Sequence, residues 1–161
     1  MRIVASFTLW LFVIGTALIL GAGLYEALVV VPFWSAGAPA SLAEGNPLLR
    51  VPMRSGQVFW PFFTPALTLI ALLALVTSFG TPPRQLAWRV AASALLLIVS
   101  IATLAYYRPA IIGMVVHHGA GRTPEAVGAE ARRWVALNWL RVAAVAASLA
   151  MGIRALLLPL Q

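Results

Sequence analysis

A single glutamate interrupts the first apolar stretch of the chain. Glu26 is the only charged residue in the segment 3–43. A carboxylate inside a bilayer costs several kcal/mol unless it meets an opposite charge. Trp134, Asn138 and Arg141 follow the spacing i, i+4, i+7 and share one face of a helix in the last apolar stretch. The sequence therefore predicts that Glu26 pairs with Arg141, helped by Asn138.

Such a pair could do one of two things. It could fix the register of two helices and bind no ligand. Alternatively, Glu26 acts as a general base while Arg141 and Asn138 bind a carbonyl or an oxyanion. The polar groups in this half of the protein outnumber what one structural pair needs, which favours a pocket. The residues predicted to line that pocket are Tyr25, Trp60, Tyr107, Trp134 and His117.

Two adjacent histidines, His117 and His118, are the only ones in the chain. Neighbours on a helix point about 100° apart, so the two cannot hold one haem from opposite faces. A single axial histidine stays open. A metal site would need a glutamate beside the histidines, and there is no cysteine to supply a thiolate. No metal site is predicted, and the sequence does not indicate a cofactor.

The composition indicates which elements must hold these residues. Of 161 residues, 62% are hydrophobic and only 9% are charged, with a mean hydropathy of +0.96. A bilayer span needs about 20 apolar residues in a helix. We predict an all-α, polytopic membrane protein, a bundle of four transmembrane helices that forms a single domain over residues 1–161. The predicted helices are 3–31, 58–79, 86–107 (continuing, bent, to 118) and 124–158.

Prolines and capping residues predict the helix ends. Pro32 is expected to close the first helix, and Pro61 and Pro65 to kink or unwind the start of the second, opening the bundle near Glu26. Thr123 before a proline predicts the start of the last helix.

The tryptophans and arginines suggest how the bundle sits in the membrane. We expect Trp34, Trp60 and Trp134 to form an interfacial belt, and the deeper Trp10 and Trp139 to need packing partners. The half opposite Glu26 is expected to hold almost nothing polar beyond serine and threonine. The bilayer is the expected partner, and a homo-oligomer or larger membrane complex stays open. Nucleic acid is excluded, since the net charge of +7 is scattered at the ends of apolar runs.

The orientation is predicted from arginines, because cytoplasmic loops carry the excess of positive charge. Both termini and the short loop near residue 82 lie on one side; the two long connections lie on the other. The long connections carry more arginines, namely Arg50, Arg54, Arg108, Arg122, Arg132 and Arg133. We nevertheless predict a bacterial inner-membrane protein with cytoplasmic termini, because the arginines on that side lie in very short segments. These arginines are Arg2, Arg84, Arg89 and Arg154.

Three stretches, "GLYEALVVVPFWSAGAPASL", "FWPFFTP" and "RRWVALNWLR", resemble small four-helix bacterial membrane proteins related to the anthrone oxygenase-like group. The resemblance implies oxidation of an anthrone to an anthraquinone with dioxygen, without an established conventional cofactor. It also implies a pocket for a flat, apolar phenolic molecule that enters from the membrane. The function expected is thus an oxygenase-like enzyme acting on a lipophilic aromatic or quinone-like molecule. The alternative is a non-catalytic accessory subunit of a larger membrane complex.

Overall fold

Four long helices make up the structure, a computed structural model that describes residues 2–42 and 47–158, with side chains at 3–42 and 56–158. Their bounds are α1, Arg2–Tyr25 continued by Glu26–Val30 and Val31–Ser35; α2, Pro47–Ser78; α3, Pro83–Val116; and α4, Pro124–Leu156. All four are long and apolar enough to cross a membrane, and the described residues contain no strand. The prediction of an all-α, four-helix integral membrane protein is confirmed. The side chains of Arg2, Arg50 and Arg54 lie outside the described residues.

The helices pack in a ring in which α1 and α3 each contact both α2 and α4. Lipid offers no hydrophobic driving force between spans, so close packing must hold them together. α4 packs closely against α1 where the two helices cross at Gly152. A Cβ at Gly152 would lie 3.1 Å from both Phe12 Cε1 and Val13 Cγ2. The bundle is therefore tightly packed at the end that carries the α2–α3 connection.

The first helix passes through Pro32, so the prediction that it ends there is wrong. The Val31 N–H donates to Glu26 O, five residues back, which makes Glu26–Val30 a π-helical turn. Proline has no N–H, and its ring clashes with the carbonyl four residues earlier. The π-turn places one extra residue in the turn before Pro32, which moves that carbonyl away from the proline ring. The helix therefore continues to Ser35.

Helix α3 also has a π-turn, Thr103–Tyr107, just before a proline, Pro109. The Arg108 N–H donates to Thr103 O, and a further π-turn, Ile112–Val116, ends the helix. α2 has no such interruption: it begins at Pro47 and stays α-helical through Pro61 and Pro65, so the predicted unwinding is wrong. The last helix starts as predicted, with Thr123 Oγ1 accepting from the Ala126 N–H at 3.3 Å.

The half opposite Glu26 contains a buried cation, contrary to expectation. The side chain of Arg89 is 1% exposed. One of its nitrogens donates to Ala5 O at 2.6 Å and lies 3.4–3.5 Å from the hydroxyls of Thr8 and Thr77. Its Nε and Nη1 have no hydrogen-bond partner among the described residues.

The tryptophans are also arranged differently from the prediction. Trp34 and Trp134 are buried and pack edge to face, with ring centroids 5.3 Å apart, so they do not form an outward-facing belt. Trp10 and Trp139 are instead exposed on the outer surface of the bundle. In a bilayer that surface faces lipid, which provides the apolar contact.

Candidate functional site

A cavity of about 550 Å³ lies in the half of the bundle that contains Glu26. Eight of its lining residues belong to the three π-turns of α1 and α3: Glu26, Val30, Thr103, Leu104, Tyr107, Ile112, Val115 and Val116. Helix α2 supplies the facing wall, including Trp60, Pro61 and Pro65. Helix backbone without its full set of bonds is tolerated at membrane depth where it lines a cavity, and π-turns are frequent at functional sites.

The predicted ion pair is present on the cavity wall. Arg141 Nη2 donates to Glu26 Oε2 at 2.9 Å, and Trp60 Nε1 donates to Glu26 Oε1 at 3.1 Å. The Arg141 and Glu26 side chains are 10% and 20% exposed. Three helices, α1, α2 and α4, thus meet at one carboxylate.

Helix direction explains why these side chains reach each other. Side chains on a helix tilt towards its N-terminus. Glu26 lies on α1 and Arg141 lies on the antiparallel α4, and the N-termini of these two helices are at opposite ends of the bundle. The two side chains therefore tilt in opposite directions and approach each other. A pair on parallel helices would lean in the same direction and would need equal depth to meet.

Two aromatic rings hold the guanidinium in place. Arg141 Cζ lies 5.1 Å from the ring centroid of Trp60 and 5.3 Å from that of Tyr107, within the range of cation–π attraction. The Tyr107 hydroxyl donates to Leu137 O at 2.6 Å, and Trp134 Nε1 donates to Tyr107 O at 3.1 Å. The wall around Arg141 is therefore fixed by contacts from both α3 and α4.

Not all residues predicted for the site lie in it. Glu26, Trp60, Tyr107, Trp134 and Arg141 line the cavity. In contrast, Tyr25 is 62% exposed on the outer surface, His117 is exposed beyond the π-turn of α3, and neither lines the cavity. Asn138 is buried outside the cavity, and its Oδ1 has no hydrogen-bond partner among the described residues, so the expected help to the ion pair is not seen.

Sequence reasoning missed Trp34 and Arg108, which both line the cavity. A π-turn adds one residue to a helical turn. Trp34 is eight residues after Glu26, but because of the π-turn at Glu26–Val30 it lies where the seventh residue of a regular α-helix would lie. Trp34 and Glu26 are therefore on the same face of α1. Pro32 is the only sequence feature that points to a π-turn here, and a proline at this position is equally compatible with the end of the helix. Arg108 ends an apolar run, where an arginine is more often an interfacial anchor than part of a site.

The structure brings no metal ligands together in the part of the chain that it describes. No three His, Asp or Glu side chains there are placed to hold one ion. His118 Nδ1 lies 2.9 Å from Leu42 O and joins the end of α3 to the α1–α2 connection.

The ion pair keeps free capacity for a ligand. A carboxylate has about four acceptor positions and a guanidinium has five donors. The described residues use one acceptor position on each oxygen of Glu26, and Arg141 donates only to Glu26. A ligand oxygen or an acidic ligand hydrogen can therefore approach both groups without breaking the pair.

Comparison of the chain with family models, with curated proteins and with solved structures gave no match. The geometry of the cavity therefore has to support any functional assignment. The fold and the site define an integral membrane four-helix protein with an intramembrane cavity and one ion pair on its wall.

Proposed function

We propose that the protein binds a flat, lipophilic phenol or quinone-like molecule in this cavity and acts on it as an oxygenase-like enzyme. The volume of about 550 Å³ lies within the range of small-molecule sites. Most of the lining side chains are apolar or aromatic, and the Glu26 carboxylate, the Arg141 guanidinium and the Trp60 indole N–H converge in one cluster on the wall. This convergence is the observation on which the proposal rests.

The resemblance to the anthrone oxygenase-like group suggests the reaction. Glu26 takes a proton from the methylene carbon of an anthrone, and Arg141 stabilises the resulting enolate oxygen. The enolate carbon gives two electrons to dioxygen and forms a C–O bond, and the returned proton completes a hydroperoxide. Loss of water breaks the O–O bond and leaves the quinone carbonyl. One anthrone and one dioxygen give one anthraquinone and one water.

The test uses the purified chain in phosphatidylcholine nanodiscs. Binding of 2-methoxy-1,4-naphthoquinone is followed by quenching of tryptophan fluorescence, and turnover of anthrone by oxygen uptake. We expect Glu26→Gln to lose at least about a hundredfold in turnover, the lower range for removing a general base. Glu130→Gln is the matched control, since Glu130 accepts from the Tyr106 hydroxyl and does not line the cavity.

Two results would overturn the proposal: no binding of the quinone by the unmodified protein, or full turnover in a folded Glu26→Gln variant. If the chain instead purifies in a defined larger assembly that Glu26→Gln leaves intact, the accessory-subunit alternative gains support.

The proposal also places the protein in a bacterial inner membrane with its termini in the cytoplasm. The cavity end exposes more arginines, namely Arg108, Arg122, Arg132 and Arg133, than the opposite end, which exposes Arg84 and Arg154. The support for this orientation is that Arg84 and Arg154 lie in very short segments. The burial of Arg89 removes one arginine from that count. A reporter fused after the last residue, active only in the cytoplasm, tests the orientation.

A further inference from the structure

Exposed arginines mark the two edges of the membrane-spanning region. Twenty-four residues separate Arg84 from Arg108 on α3, and twenty-one separate Arg133 from Arg154 on α4. At 1.5 Å per residue these lengths are about 36 Å and about 32 Å. The hydrocarbon core of a bilayer is about 30 Å thick. Arg108 therefore lies at the boundary between hydrocarbon and headgroups.

The cavity extends from that boundary into the hydrocarbon. The hydrogen bond from Trp134 Nε1 to Tyr107 O shows that Tyr107 on α3 and Trp134 on α4 lie at a similar depth, next to Arg108. The Cα of Arg141 lies seven residues further along α4, about 10 Å deeper. Because Arg108 and Arg141 both line the cavity, a ligand can span the distance from headgroup level to the ion pair.

Among the described residues that line it, the cavity carries one uncompensated positive charge. Three of these residues are charged, namely Glu26, Arg108 and Arg141. The first and last neutralise each other. Arg108 is exposed and makes no ion pair or hydrogen bond with another described residue. An arginine stays protonated and binds oxyanions in a two-pronged geometry.

We propose that the ligand carries an anionic group, a phenolate or a carboxylate, which Arg108 binds at headgroup level. This inference rests on the proposed function and narrows its ligand class to anionic, flat amphiphiles. The charged group stays at the membrane surface while the apolar ring system reaches down between α2 and α3. The binding of the anion at Arg108 thereby selects which end of the ring system meets Glu26 and Arg141.

The experiment compares two probes that share one ring system. The first, 2-hydroxy-1,4-naphthoquinone, is ionised at neutral pH; the second, 2-methoxy-1,4-naphthoquinone, is neutral. Dissociation constants are measured by tryptophan quenching in phosphatidylcholine nanodiscs, with empty nanodiscs correcting for partitioning. We expect Arg108→Gln to weaken binding of the anionic probe about tenfold and to leave the neutral probe unchanged, since hydrogen bonds to charged groups have this magnitude.

Two further variants complete the design. Arg132→Gln is the matched control, because Arg132 is an exposed cation at the same end that does not line the cavity. It should leave both dissociation constants unchanged. Arg108→Lys should restore part of the preference for the anion, which shows that a loss in Arg108→Gln is not misfolding.

Each outcome decides the inference. Equal effects of Arg108→Gln on the two probes, or equal losses in Arg108→Gln and Arg132→Gln, would mean that Arg108 only contacts lipid phosphates, and would overturn it while leaving the proposed function standing. If the unmodified protein binds neither probe, the proposed function fails first and this inference fails with it.

Discussion

At the scale of single residues, one carboxylate joins three helices. Glu26 accepts from Arg141 on α4 and from Trp60 on α2. Other contacts also hold both partners: Arg141 packs against the rings of Trp60 and Tyr107, and Trp60 packs against Phe59. The groups that bind the carboxylate are therefore fixed in position by more than the carboxylate itself. The pair therefore contributes to stability and to the chemistry of the cavity at once, and substitutions have to separate the two contributions.

A double-mutant cycle separates them. Arg141→Met leaves the Glu26 carboxylate without its cation in a poorly solvated place, and we expect the free energy of unfolding to fall by about 2 kcal/mol. Adding Glu26→Gln removes the remaining charge and should restore part of this loss. Unfolding in mixed detergent micelles measures both. A double variant no more stable than Arg141→Met would show that no uncompensated charge was formed.

For the buried guanidinium of Arg89 we do not expect substitution to lower the free energy of unfolding. Two of its nitrogens are unpaired among the described residues, so the buried charge is poorly compensated. Arg89→Met should leave the free energy of unfolding unchanged or raise it by about 1 kcal/mol. Arg84→Met, on the exposed face of the same helix, is the control and should change little. A loss above about 2 kcal/mol in Arg89→Met would reveal a counter-charge.

The sequence was sufficient to predict the ion pair but not the position of Arg89. Glu26 and Arg141 are opposite charges at matching depth in apolar runs, and the cost of leaving them apart predicts their contact. Arg89 lies six residues into α3, where an arginine can equally reach the surface. Only the tertiary packing that brings Ala5 and Thr8 of α1 and Thr77 of α2 around Arg89 decides that it turns inward.

At the scale of secondary structure, π-turns shape the cavity. In α1 and α3 a π-turn ends two residues before a proline, at Pro32 and at Pro109. Each turn relieves the proline clash and rotates the residues that follow. Sequence patterns could not predict this outcome, because a proline in an apolar run is equally compatible with a helix end.

Removing one proline tests the role of the π-turn. In Pro32→Ala the clash disappears, and we expect Glu26–Val30 to relax towards regular α-helix with thermal stability kept or raised. The rotation should move Trp34 off the face of Glu26, so binding of 2-methoxy-1,4-naphthoquinone should weaken. Pro124→Ala is the control, since proline at the first position of a helix costs no hydrogen bond. Unchanged quinone binding in Pro32→Ala would count against a shaping role.

At the scale of the whole molecule, all four helices are longer than a bilayer is thick, and α2, Pro47–Ser78, has 32 residues. The helices Ile3–Ser35, Pro83–Val116 and Pro124–Leu156 have 33, 34 and 33 residues. At 1.5 Å per residue each is about 50 Å long, against about 30 Å of hydrocarbon. The exposed arginines place the excess length on the side of the cavity, so that side projects into the headgroups and beyond.

The absence of cysteine makes this placement testable with single-cysteine variants. We expect Arg108→Cys and Arg133→Cys to react with a membrane-impermeant maleimide in nanodiscs. Ile98→Cys and Leu140→Cys, which are exposed on the lipid side about 10–15 Å deeper, should react far more slowly. Equal rates for Ile98→Cys and Arg108→Cys would contradict the placement of the membrane boundary.

The contact between α1 and α4 is held by different forces at its two ends. Near Gly152 a methyl group would lie only 3.1 Å from the side chains of Phe12 and Val13, tighter than an ordinary contact. Near Glu26 and Arg141 the same two helices are joined by opposite charges. Steric contact does not depend on ionic conditions, whereas the attraction weakens when salt or a charged ligand screens it. A change in ionic conditions would therefore act on this helix contact only at its cavity end.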